Sequence, residues 1–127
     1  MDEILEFISN ELEKAGVPYE FLIWTQPVTY PYFVGEYDEF ESTLESGEQD
    51  KTFILNGFCR GEGSRMKLEE MRKIVEKTFP DIDGKIATLN SGSAVAIFYG
   101  NSFYVPTGEE ELYNLQINLN IKFWKVG

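Results

Sequence analysis

Residues 112–125 constrain this chain more than any other stretch. Leu115, Ile117, Leu119, Ile121 and Phe123 alternate with Gln116, Asn118, Asn120, Lys122 and Trp124. Side chains of a strand point to opposite faces with a period of two, so this pattern predicts a long strand with one apolar and one polar face. Strands covered on both faces read instead as continuous apolar runs, so the pattern argues for an antiparallel sheet. A sheet with one apolar face needs a covering layer.

Two segments supply that layer. Residues 2–15 place Ile4, Leu5, Ile8, Leu12 and Ala15 on one helical stripe, with Asp2 and Glu3 in the first turn and Gly16 and Pro18 as the stop. Residues 65–79 place Leu68, Met71, Ile74, Val75 and Phe79 on one side, opposite Glu69, Glu70, Lys73, Glu76 and Lys77. Ser64 is positioned to cap this second helix, and Glu69 and Lys73 are spaced to pair. Between the helices, residues 19–24 predict a short strand, and Pro27 and Pro31 predict a loop or edge. Residues 32–44 and 51–60 predict the arms of a long hairpin around the polar turn 45–50. Tyr32, Val34, Glu36, Asp38 and Phe40 fall on one face of the first arm, and Phe33, Gly35, Tyr37 and Glu39 on the other. Further strands are expected at 85–89, 93–99 and 102–105. The expected fold is a single α+β domain over 1–127: a mostly antiparallel sheet, two amphipathic helices packed on one face, and the long hairpin between the helices.

Charge narrows the function. The chain has 22 acidic and 11 basic residues, a formal net charge of −11. Sequence-independent nucleic-acid binding uses Lys and Arg to neutralise phosphates, so specific nucleic-acid binding is not expected. No Lys or Arg lies between Lys14 and Lys51, whereas Glu36, Asp38, Glu39, Glu41, Glu45, Glu48 and Asp50 are all acidic. These residues keep a surface soluble and form a candidate DNA-repelling surface. No apolar run approaches the ~20 residues that cross a bilayer, so no membrane partner is expected. Met1-Asp2-Glu3 is not the basic start of a secretory leader, and a single Cys59 makes no internal disulfide, which together suit a reducing, intracellular site of synthesis.

Motifs that carry chemistry are sparse. With no histidine, the commonest general base and most zinc sites are missing. Gly61-x-Gly-Ser64 lacks the spacing and lysine of a phosphate loop and reads as a turn. Asp81-x-Asp-Gly84 lacks the remaining ligands of a calcium loop, and Glu109-Glu-Glu111 reads as a solvated run. No catalytic residue, cofactor or metal is expected, and the chain reads as a non-enzyme. Aromatic placement is more informative: Trp24, Tyr30, Tyr32, Phe33, Tyr37 and Phe40 crowd together. One small two-layer domain does not easily bury aromatics on both faces of a hairpin arm, and aromatics are enriched at protein interfaces. Tyr30, Tyr32, Phe33, Tyr37 and Phe40 are therefore candidate interface residues.

Tyr30-Pro-Tyr-Phe-Val-Gly-Glu-Tyr37, the acidic turn, Thr52-Phe-Ile-Leu-Asn-Gly-Phe58, Arg60-Gly61 and the charged helix that follows are similar to the small tail-completion proteins of siphophages that infect Gram-positive bacteria. Within that group they most resemble the tail terminator, over about residues 20–80. The resemblance implies a structural subunit made in the host cytoplasm and ending in the virion tail. It would form a homo-oligomeric ring, hexameric in the virion, that caps the tail tube, stops its polymerisation and joins it to the head–tail connector. The implied partners are further copies of itself, the tail tube protein and the connector protein, with the hairpin of residues 32–60 as contact element. Two other readings stay open from the residues: an acidic protein-binding or small-ligand-binding module, and an enzyme using acidic residues with a divalent metal.

Overall fold

The computed structural model describes residues 3–38 and 48–125. Helix α1 (Glu3–Ala15) is followed by β1 (Tyr19–Phe21), β2 (Tyr32–Asp38) and β3 (Glu48–Arg60). Helix α2 (Ser64–Thr78) then precedes β4 (Lys85–Thr88), β5 (Ala94–Val105) and β6 (Leu112–Trp124). The strands form one six-stranded sheet in the order β1-β2-β3-β6-β5-β4. The fold is α+β and mostly antiparallel, as expected from the alternation in β6.

One pairing departs from that expectation. β1 runs parallel to β2, with Tyr19 opposite Phe33 and Phe21 opposite Gly35. The chain leaves β1 at residue 22 and returns at residue 32 to run in the same direction. The Leu22 N–H donates to the Gly35 carbonyl (2.8 Å) and the Phe33 N–H to the Pro18 carbonyl (2.8 Å), which fix this return.

The two faces of the sheet differ. Phe53, Leu55 and Cys59 of β3, and Leu115, Ile117, Leu119 and Ile121 of β6, are buried on the helix side. They meet Ile4, Ile8 and Leu12 of α1 and Leu68 and Val75 of α2 in one core. Phe33 belongs to this core: it is fully buried. A Cβ on Gly57, its cross-strand partner, would lie 2.2 Å from the Phe33 ring. Phe33 is thus a packing residue and not the interface residue expected from its aromatic neighbours.

Three local expectations are corrected. The separate strands expected at 93–99 and 102–105 are one strand, β5, with a register shift between Tyr99 and Asn101. Gly100 absorbs the extra residue as a bulge, and pairing resumes at Asn101 opposite Asn118. Ser64 does not cap α2 from outside. Left-handed Gly63 takes that position, and the Ser64 hydroxyl donates to the Gly61 carbonyl at 2.6 Å. Glu69 pairs with Arg72 at 2.8 Å instead of Lys73, and Arg72 also reaches Glu76 at 3.2 Å.

Candidate docking surface

The loop between β1 and β2 is built from local bonds. The Glu20 carboxylate accepts from the Thr25 N–H (2.9 Å) and from the Thr25 hydroxyl, closing residues 20–25 into a tight turn. The Ile23 N–H returns to the Phe21 carbonyl at 2.9 Å. The Trp24 Nε1 donates to the Pro27 carbonyl at 3.5 Å. Leu22 takes the left-handed conformation (φ 69°), uncommon for a non-glycine residue. The Tyr30–Pro31 peptide is cis.

These bonds hold apolar side chains outward. Leu22 is 62% exposed, Ile23 63% and Val28 57%. Beneath them the open face of the sheet supplies an aromatic floor centred on Tyr32. Its ring lies 5.0 Å from Trp24, 5.3 Å from Phe58 and 5.8 Å from Tyr30. Offset aromatic contacts of this kind stabilise by about 0.5–1.5 kcal/mol each beyond area burial. Burial raises the Tyr32 hydroxyl pKa, with a further contribution from Tyr30. Loop and floor enclose an open concavity of ≈ 450 Å³, with Glu36 and Asn56 as its polar lining.

The candidate interface residues divide between the faces. Tyr30 and Tyr32 come together on this surface. Tyr37 turns to the helix side, edge-on to Phe53 (5.5 Å) and Phe21 (6.3 Å), with the Lys51 ammonium 5.6 Å from its ring centroid. Phe33 is in the core, and Phe40 lies outside the described residues. Of the acidic candidates, Glu36 and Asp50 are exposed. Asp38 and Glu48 lie on β2 and β3, at the hairpin ends. Glu39, Glu41 and Glu45 lie outside the described residues. Leu22, Ile23, Val28 and Phe58 were not among the expected surface residues. The run Phe21-Leu-Ile-Trp24 has the texture of a strand, which hid the turn that Glu20 and Thr25 make.

The remaining motifs resolve as turns and surface. Gly61 and Gly63 both have positive φ, and the Gly61 N–H donates to the Glu111 carbonyl at 2.8 Å. Glu109 is exposed and pairs with Arg60 at 2.9 Å. Asp81 and Asp83 are exposed. Among the described residues no three His, Cys, Asp or Glu side chains are grouped to hold a metal ion. No described helix is long and apolar enough to cross a membrane.

No protein-family model matches the chain, and no curated protein matches it in sequence. Eleven chains of solved structures match it. One of them is 17% identical, superposes with a TM-score of 0.65, and covers 97% of both chains. That likeness extends over nearly the whole chain and concerns the fold.

Proposed function

We propose that the chain is a non-catalytic assembly subunit of the tail-terminator kind. It forms a ring, hexameric in the virion, that caps the tail tube, stops its polymerisation and joins it to the head connector. The observation that carries this reading is that both edges of the sheet present exposed apolar side chains. Leu22, Ile23 and Val28 follow β1, whereas Ile82 (83% exposed) and Ile86 (69%) lie at β4. A one-to-one binder needs one such patch. A ring subunit that also holds a tube or a connector needs at least two.

The topology suits such a subunit. Following the pairings from β1 to β4, the two edge strands run in the same direction. They are different strands with different side chains, so a contact made through either edge onto another face of a neighbour is heterologous. Heterologous contacts close into rings when the rotation permits. Exposed Asp50 fits a lumen that lets DNA pass without gripping its phosphates.

Native mass measured across a concentration series, alone and with polymerising tube protein, tests the reading, with negative-stain images of the assembled species. A six-fold ring with a central hole wide enough for duplex DNA is the expected result. A monomer at every concentration, with and without tube protein, overturns it. The ≈ 450 Å³ concavity favours a second reading, an acidic protein-binding or small-ligand-binding module. That reading predicts a one-to-one complex and no ring.

A further inference from the structure

We propose that the concavity between the β1–β2 loop and Tyr32 docks a short extended segment of a different protein, in which an apolar side chain stands next to Lys or Arg. This rests on the assembly reading and assigns one of its two patches to a foreign partner, not to a second copy.

The surface is apolar by construction. Leu22 and Ile23 are held outward by their own backbone bonds and by the Glu20–Thr25 contacts, and exposed Val28 lines the same concavity. The left-handed backbone of Leu22 costs free energy that burying its side chain in the core does not offset, because the side chain is exposed. Strain of this kind concentrates at binding sites and clamps. An exposed apolar patch over an aromatic floor, rimmed by polar groups, is the usual form of a protein contact site.

Charge selects the occupant. Glu36 lines the concavity, is exposed, and pairs with no cation among the described residues. The sequence supplies no Lys or Arg from residue 15 to residue 50. Arg60, on the same face as Tyr32, is held by Glu109 and the Glu110 carbonyl. A cation brought by the partner therefore finds an unpaired carboxylate beside an apolar floor, and complementary charge steers such an encounter. A second copy fits less well. It carries −11 overall, and among the described residues its most exposed large apolar side chain, Ile82, stands between Asp81 and Asp83. Its exposed Met66 stands between Arg65 and Lys67, but it lies within helix α2 and offers no extended segment. Ile86 is next to Lys85, but that ammonium is held by Glu11 at 3.1 Å.

The test is a titration of the full ¹⁵N-labelled chain with two hexapeptides, acetyl-KIKLKI-amide and acetyl-EIELEI-amide, followed by amide chemical shifts. The lysine peptide is expected to produce saturable shifts confined to residues 22–36 and 56–58, and the glutamate peptide none. Ile23→Ser, at an exposed position that does not threaten the fold, is expected to weaken binding at least fivefold. Glu36→Gln is expected to weaken it about two- to fivefold, with the loss shrinking as salt is raised. Equal response to both peptides, no saturation, shifts centred elsewhere, or an unaffected Ile23→Ser variant overturns the inference. If the same amides respond to protein concentration alone and Ile23→Ser removes that response, the occupant is a second copy. The inference then fails while the assembly reading stands. Peptide binding by a chain that never forms a ring leaves the inference in place and removes the assembly reading.

Discussion

Tyr32 and Phe33 are neighbours in sequence and lie on opposite faces of one strand, and they meet different physics. Phe33 is opposite Gly57, and its ring occupies the space that a Gly57 side chain would need. Phe53 does the same at its diagonal neighbour Gly35, where an added Cβ would lie 2.4 Å from the ring. The helix-side face is thus a close-packed fit of large against absent side chains. On the open face the register puts Tyr32 opposite Phe58, and the two rings stack. No glycine makes room there, and the third and fourth rings come from the loop that ends in β2. An aromatic count in this segment does not say which face a ring occupies; the residue across the strand does.

The sharpest way to break this comparison is to truncate each ring. Phe33→Ala is expected to cost about 3–5 kcal/mol, because it removes a fully buried ring and leaves a cavity lined by Gly57 on one side. For a domain whose total stability is about 5–15 kcal/mol, that is a large fraction. Tyr32→Ala, on the open face, is expected to cost less, about 1.5–2.5 kcal/mol, because its three ring contacts are partly in water. Urea midpoints of the two variants at equal m-value give both numbers. Equal losses would mean that the open face is a second core, and the docking surface would lose its basis.

The same contrast explains what was legible in the sequence. The alternation in β6, the two amphipathic helices and the hairpin between them depend on side chains close in sequence, and all three could be read. The parallel pairing of β1 with β2 depends on where the loop at 22–31 returns, and no periodicity records that. Tyr30 and Tyr32 were legible as surface candidates. Their partner Phe58 lies across the strand and is not, and the core position of Phe33 shows only in the register, which puts Gly57 opposite it. Glu11 is a further case. It falls three residues after Ile8, on the buried side of α1, and reads as a polar interruption. Its charge is answered by Lys85, far along the chain, and by Lys14.

That pair gives the next test, intermediate in size, because it joins α1 to the β4 edge of the sheet. Burial raises the Glu11 pKa, but the ammonium groups of Lys85 and Lys14 outweigh it and hold the carboxyl below its usual 4.5. A depressed carboxyl pKa adds stability that is present above the unfolded value and lost as pH falls through the folded one. Lys14 is 77% exposed and Lys85 45%, so water screens both and the expected gap between wild type and Glu11→Gln near pH 7 is only about 1 kcal/mol. Melting temperatures of the two proteins measured from pH 7 to pH 3 should converge below pH 4.5. A gap that persists at pH 3 would assign the stabilisation to packing of the side chain and not to its charge.

The smallest expected effect sharpens the comparison by placing a tyrosine of the helix side against Tyr32. Tyr104 lies on β5, its hydroxyl donates to Glu69 at 2.9 Å, and the Arg65 guanidinium stands 4.7 Å from its ring centroid. Burial, and then the bond to Glu69, push its pKa up to about 12. Removing the hydroxyl leaves Glu69 its bond to Arg72 and to water, so no buried acceptor is stranded and Tyr104→Phe should cost about 0.5 kcal/mol near neutral pH, the low end for a hydrogen bond. The sign at high pH is distinctive. Between the unfolded tyrosine pKa of about 10 and the folded value of about 12, the folded state keeps a proton that the unfolded state has released, so stability falls as pH rises across that window. Tyr104→Phe lacks this contribution, so its urea midpoint should decline less than that of the wild type between pH 10 and 12, and the two curves should approach each other. Parallel decline would mean that neither burial nor the Glu69 bond holds Tyr104 in its protonated form, and the Arg65 guanidinium over its ring would be left as the link that Tyr104 makes to α2.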